Sequence, residues 1–163
     1  MQEHQLSMPR VPLILTLLGA TPFIIQFLLF ALQLTDANFV LTLAKLNYYT
    51  MHATLAYGFI LLIFIAGIDW GLAVQSRGTV GTGVYIWSVF ILLCIFAMMA
   101  FSFYYIYIFS ILAVLYGVVW FGDYVLCRKN YCPHWYLRLR NIITPVVVVS
   151  LLGIQAVIYF VKV

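Results

Sequence analysis

From Gly78 to Gly122 the chain runs 45 residues without a formal charge, a length that leaves few possible folds. One helix crosses roughly 30 Å of hydrocarbon with about 20 apolar residues. The run therefore holds two membrane spans joined by a tight turn, placed near Met99–Phe103, where Ser102 is the only polar residue. Residues 11–34, 46–68 and 141–161 are equally free of formal charge. These stretches predict an all-α, polytopic bundle of five transmembrane helices at about 11–34, 49–74, 80–99, 103–125 and 138–161, forming a single transmembrane domain over residues 1–163. Apolar and polar residues do not alternate with a period of two, which argues against a β-barrel.

Composition agrees. Of 163 residues, 66% are hydrophobic and 7% charged, and the mean hydropathy is +1.12. A soluble domain runs at roughly 45–50% apolar and about 25% charged. A water-soluble globule is excluded, and so are a disordered chain and a disulfide scaffold, since there are only 3 Cys and almost no polar tract. The apolar stretch near the N-terminus is about twice the length of a signal-peptide core and no small-x-small site follows it, so no cleavable signal is expected.

The basic residues set the expected orientation. With five spans, the N-terminus and the loops after the second and fourth spans share one side, which carries Arg10, Arg77, Arg128, Lys129, Arg138 and Arg140. The other side has Lys45 and, at the end of the chain, Lys162. This is a positive-inside bias: N-terminus cytoplasmic, C-terminus outside. The net charge of +4 then reflects topology and contact with anionic lipid headgroups rather than nucleic acid. The simplest home is a bacterial inner (cytoplasmic) membrane, with the mitochondrial inner membrane as the alternative.

Local signals refine the spans. Pro12 suits a first helical turn, and Pro22 should kink the first helix unless neighbours satisfy the carbonyl it frees. Thr35-Asp36 reads as an N-cap for a short surface helix over about 37–45. Tyr48, Tyr49, Trp70, Tyr104, Tyr105, Tyr107, Trp135 and Tyr136 read as interfacial belts. Gly67-x3-Gly71 is a small-x3-small pair that allows close helix approach, within the bundle or between protomers.

Ionisable residues inside spans are candidate functional positions, because an unpaired buried charge is costly. Asp69 and Asp123 lie at similar depth near the cytoplasmic ends of the second and fourth spans, facing the loops that hold Arg77, Arg138 and Arg140. On a helix, Gly58, Leu62, Ile65 and Asp69 share one stripe, and Leu112, Tyr116, Trp120 and Asp123 share another. Two readings follow: a polar chamber for an ion, proton or headgroup, or ion pairs that lock helix ends. Arg138 and Arg140 stand about 200° apart on a helix, so one turns inward to an Asp and the other meets headgroups. His52, near Asn47 at the outer end of span two, reads as a hydrogen-bonded interfacial residue or a relay element.

Other motifs carry less. Cys127-x4-Cys132-x-His134 offers zinc-type ligands but lacks a fourth ligand and a recognised spacing, so no metal site is expected and the thiols should be reduced loop residues. Cys94 reads as packing. The glycines of 78–83 lack the Lys and the preceding strand of a phosphate loop. There is no hydrolase triad and no HExxH. Neither an enzyme nor a cofactor is expected.

Three strings resemble a known family: Leu18-Gly19-Ala20-Thr21-Pro22-Phe23, Ala66-Gly67-Ile68-Asp69-Trp70-Gly71, and Trp135-Tyr136-Leu137-Arg138-Leu139-Arg140 followed by Thr144. Together with five spans they resemble the small bacterial inner-membrane proteins related to mitochondrial transmembrane protein 69. The second motif of that family usually reads Gly-Gly-x-His-Trp-Gly, and here Ala66 and Asp69 replace its first Gly and its His, so no His-based role is carried over. The resemblance implies fold and membrane location and brings no established activity. The expectation is a non-enzymatic accessory or assembly subunit of a larger membrane complex, such as a respiratory one, with lipids and a membrane-protein partner or a second copy around it. The alternative is a small transporter or a lipid- or quinone-binding protein that uses the Asp/Arg cluster.

Overall fold

The structure is a computed structural model and describes residues 9–33, 37–75, 81–100 and 107–161. It contains helices α1 (Arg10–Gln33), α2 (Ala37–Gln75), α3 (Gly83–Ala100), α4 (Ile108–Arg128) and α5 (His134–Val161), with no strand among the described residues. All five are long and apolar enough to cross a membrane. The chain reads as a multi-pass membrane protein, because in lipid only structures that satisfy every backbone group internally can span.

Two boundaries differ from the sequence expectation. The short surface helix over 37–45 is not separate: α2 runs unbroken from Ala37 through the span Tyr49–Gln75. No Gly or Pro occurs between Ala37 and Tyr57, so nothing in the sequence stops the helix. Its proposed cap, Thr35-Asp36, lies outside the described residues. The turn expected near Met99–Phe103 begins later, since α3 continues through Ala100. Residues 101–106, with Tyr104 and Tyr105, lie outside the described residues.

Helix α5 is the organising element, packed most extensively against α4 and α1, while α2 touches α1, α3 and α4. Helix α3 leans mainly on α2 and turns Ile86, Phe90, Leu93 and Phe96 outward. The core runs through Phe23, Leu62, Leu112, Tyr116, Leu151 and Ile154. Stripe Gly58, Leu62, Ile65 and Asp69 of α2 is buried as a unit. On α4 the buried stripe is Leu112, Tyr116, Val119 and Asp123. Trp120, expected in that stripe, sits one position off it, half-buried, and donates its indole N–H to Asn141 Oδ1 at 2.8 Å.

Both helix-interior prolines are accommodated in continuous helix. Pro22 has no N–H to offer the Leu18 carbonyl, and the Thr21 hydroxyl donates to that carbonyl at 2.6 Å instead. Pro145, inside α5, carried no expectation from sequence.

The turn from α4 to α5 shows why the chain reverses where it does. Asn130 adopts φ 61°, a left-handed conformation that Asn tolerates. Asn130 N–H donates to Cys127 O and Tyr131 N–H to Leu126 O, the paired bonds of a Schellman ending, with Tyr131 packed on Leu126. This reversal brings the Cα atoms of Cys127 and Cys132 to 4.9 Å and sets the two side chains against each other. The turn geometry juxtaposes residues that look like separate loop positions in sequence. Cys94 is free.

The glycine expectation also changes. A Cβ at Gly67 or Gly71 would meet nothing within 4 Å, so this pair makes no close approach within the chain. The close approaches fall at Gly58 against Leu112 and Phe23, Gly122 against the Trp87 indole, and Gly153 against the Phe27 ring. Gly153→Leu should therefore lower thermal stability in detergent by about 1–3 kcal/mol through overpacking. Gly67→Ala should stay within about 0.5 kcal/mol of the parent. Equal effects of the two, by thermal melting in one detergent, would contradict this assignment.

Candidate functional site

The polar centre forms where α2 and α4 end and α1 and α5 begin. Asp69 and Asp123 are each 1% exposed and Arg140 6%; among the described residues they are the buried formal charges. Arg140 Nε donates to Asp123 Oδ2 at 2.5 Å, and the Tyr136 hydroxyl donates to Asp123 Oδ1 at 3.1 Å. One carboxylate thus holds two donors from successive turns of α5. Asp69 of α2 is buried next to this pair. Two helices are joined at one carboxylate.

The other expected members are placed differently. Arg138 is exposed on the outer side of α5. Arg77 lies outside the described residues, as does the side chain of His134. No group of three His, Cys, Asp or Glu side chains that could hold a metal occurs among the described residues. His52 is half-buried.

Beside the cluster, a cavity of about 510 Å³ opens between α1, α2 and α5. Its wall is mostly apolar: Leu15 and Ala20 of α1, Leu61 and Ile65 of α2, Ile143 and Val147 of α5. Tyr57, Tyr116, Trp135 and Tyr136 add aromatic surface. Arg140 and Thr144, one helical turn apart, supply its polar edge. Arg140 Nη2 and Thr144 Oγ1 are buried and lack hydrogen-bond partners, as does Asp69 Oδ1. A buried donor left unmade costs about 1–3 kcal/mol. The tyrosines, by contrast, are committed: Tyr57 donates to Gly19 O at 2.9 Å and Tyr116 to Gly58 O at 3.0 Å. With Phe23 they form a ring cluster, at centroid distances of 5.7 and 6.1 Å.

Sequence reasoning gave Tyr136 only a place in an interfacial belt and gave Thr144 only a place in a familiar string. It did not weigh Gln26, a buried amide whose Oε1 accepts from the Thr54 hydroxyl at 3.4 Å. A polar side chain deep in an apolar span is a usable signal for Gln26. Tyr136 has no such signal, since aromatic residues at span ends are the rule.

The pairing has a direct mutational consequence. Asp123→Asn or Arg140→Gln alone should each cost about 3–5 kcal/mol, because each strands a buried charge. The double variant should cost less than the sum of the two. Arg138→Gln should change stability by less than about 0.5 kcal/mol. Asp69→Asn should be tolerated, since it removes a buried carboxyl that Arg140 does not pair with. Additive losses at Asp123 and Arg140, measured by thermal unfolding in detergent, would contradict the pairing.

No curated protein and no solved structure matches the chain. One family profile does, over residues 8–156, which include every side chain of the cluster and the cavity wall. The chain belongs to the family described as "Protein of unknown function (DUF3429)".

Proposed function

We propose that this protein is a non-enzymatic membrane protein that binds a lipid-like amphiphile in the cavity between α1, α2 and α5. The observation that carries the reading is the juxtaposition of two buried, unpartnered donors, Arg140 Nη2 and Thr144 Oγ1, with an apolar cavity of about 510 Å³. Small-molecule sites combine an apolar wall with a few placed polar groups, in volumes of roughly 300–1,000 Å³. An ion-pair lock alone explains Asp123 and Arg140 Nε, and leaves Thr144 and the space beside it without a role. An accessory-subunit role is the second reading, and it rests on how little of the chain lies outside the spans.

By the distribution of Lys and Arg, the cavity sits toward the cytoplasmic side of a bacterial inner membrane, or the matrix side of its mitochondrial counterpart. The strings Leu18–Phe23, Ala66–Gly71 and Trp135–Arg140 support kinship with mitochondrial transmembrane protein 69. All three strings contribute cavity residues.

Gentle extraction of the tagged protein from its native membrane, followed by mass spectrometry of everything that co-purifies, tests the proposal. The expected result is one specific amphiphile per chain, lost in a variant whose cavity is filled by Leu61→Trp. A stoichiometric protein partner with no retained small molecule would replace this reading with that of an accessory subunit.

A further inference from the structure

We infer that the ligand of this cavity carries an uncharged, carbonyl-bearing ring on an apolar tail, the chemistry of a lipid-soluble quinone. The inference rests on the cavity reading above and narrows it. Charge is the first argument. The buried ensemble already holds two carboxyl groups, Asp69 and Asp123, against the single guanidinium of Arg140. An anionic head, a fatty-acid carboxylate or a phosphate, would add a further negative charge to a site with no second buried cation among the described residues. A cationic head would meet the guanidinium in the wall. A neutral head is what remains.

Hydrogen-bonding capacity is the second argument. Arg140 can only donate, and the Thr144 hydroxyl can donate as well. The hydroxyl protons of Tyr57, Tyr116 and Tyr136 are spent on Gly19 O, Gly58 O and Asp123. The wall therefore calls for an acceptor, and a carbonyl oxygen is the acceptor an uncharged lipid carries. Both a quinone ring and an acylglycerol ester meet that requirement. Shape selects between them: Tyr57, Tyr116 and Trp135 offer aromatic surface at the cavity wall, which suits a planar ring. The tail has an exit. Leu15 of α1 and Phe64 of α2 belong to the wall yet are 62% and 65% exposed on the lipid-facing surface, so the cavity opens sideways between these helices.

The test uses the full chain in lipid nanodiscs with three probes: a decyl-substituted benzoquinone, a short-chain diacylglycerol and oleate. Bound probe is counted by native mass spectrometry. The expected result is one decyl-benzoquinone per chain, not displaced by equimolar oleate or diacylglycerol. Thr144→Val should weaken it about five- to tenfold, the loss of one hydrogen bond, and Leu61→Trp should abolish it while the melting temperature is kept. If Leu61→Trp does not fold, Thr144→Val with the two competitors decides alone. Preferential binding of oleate or of diacylglycerol would overturn the quinone inference and leave the cavity reading standing. Failure of all three probes to bind folded protein would overturn both.

Discussion

A guanidinium inside a bilayer cannot stand alone, and Arg140 does not. Its bond to Asp123 ties α5 to α4, the most extensive helix contact in the molecule. Tyr136 adds a second donor to the same carboxylate from the preceding turn of α5. The cost of moving charge into a low-dielectric medium makes such an arrangement all or nothing: each partner is tolerable only because the others are present. The pair also fixes the face of α5 that looks toward α1. One helical turn beyond Arg140, that face carries Thr144 and then Val147 into the cavity wall.

The same physics explains which parts of this structure can be read from sequence. Twelve formal charges in 163 residues locate five spans by subtraction, because hydrocarbon excludes charge along the whole length of a helix. Asp69, Asp123 and Arg140 stand out for the same reason. What sequence does not supply is the facing of each helix. In water an outward face is polar and the helix period reveals it. In lipid the outward face is as apolar as the core, and residues such as Leu18, Phe64 and Phe96 are exposed although they resemble the buried Phe23 and Leu62. For this reason spacing alone does not locate the close approaches within the chain. Gly67 and Gly71 have the familiar spacing, but Gly58, Gly122 and Gly153 make the close approaches. The choice of Arg140 over Arg138 likewise depends on the rotation of α5, which spacing alone leaves open.

The turn between α4 and α5 is a further case of geometry hidden from spacing. Cys127 and Cys132 look like two loop thiols until Asn130 takes a left-handed conformation and folds Tyr131 back onto Leu126. That reversal brings the cysteines together and sets the start of α5, and with it the depth at which Tyr136 and Arg140 enter the bundle. A local backbone device thereby positions the polar centre, and the polar centre defines one edge of a cavity that is otherwise apolar. Family membership adds no activity to this account, so the function must be argued from the site.

The central claim is that a neutral ring lodges between α1, α2 and α5 beside Arg140. Photolabelling tests it most directly: an azido-substituted, tailed benzoquinone is irradiated with the protein in nanodiscs, and the modified peptides are sequenced. The account predicts adducts concentrated on Leu61, Ile143, Thr144 and Val147, suppressed by excess unlabelled decyl-benzoquinone. Adducts spread over the lipid-facing residues of α3, such as Ile86, Phe90 and Phe96, and unaffected by competitor would contradict it.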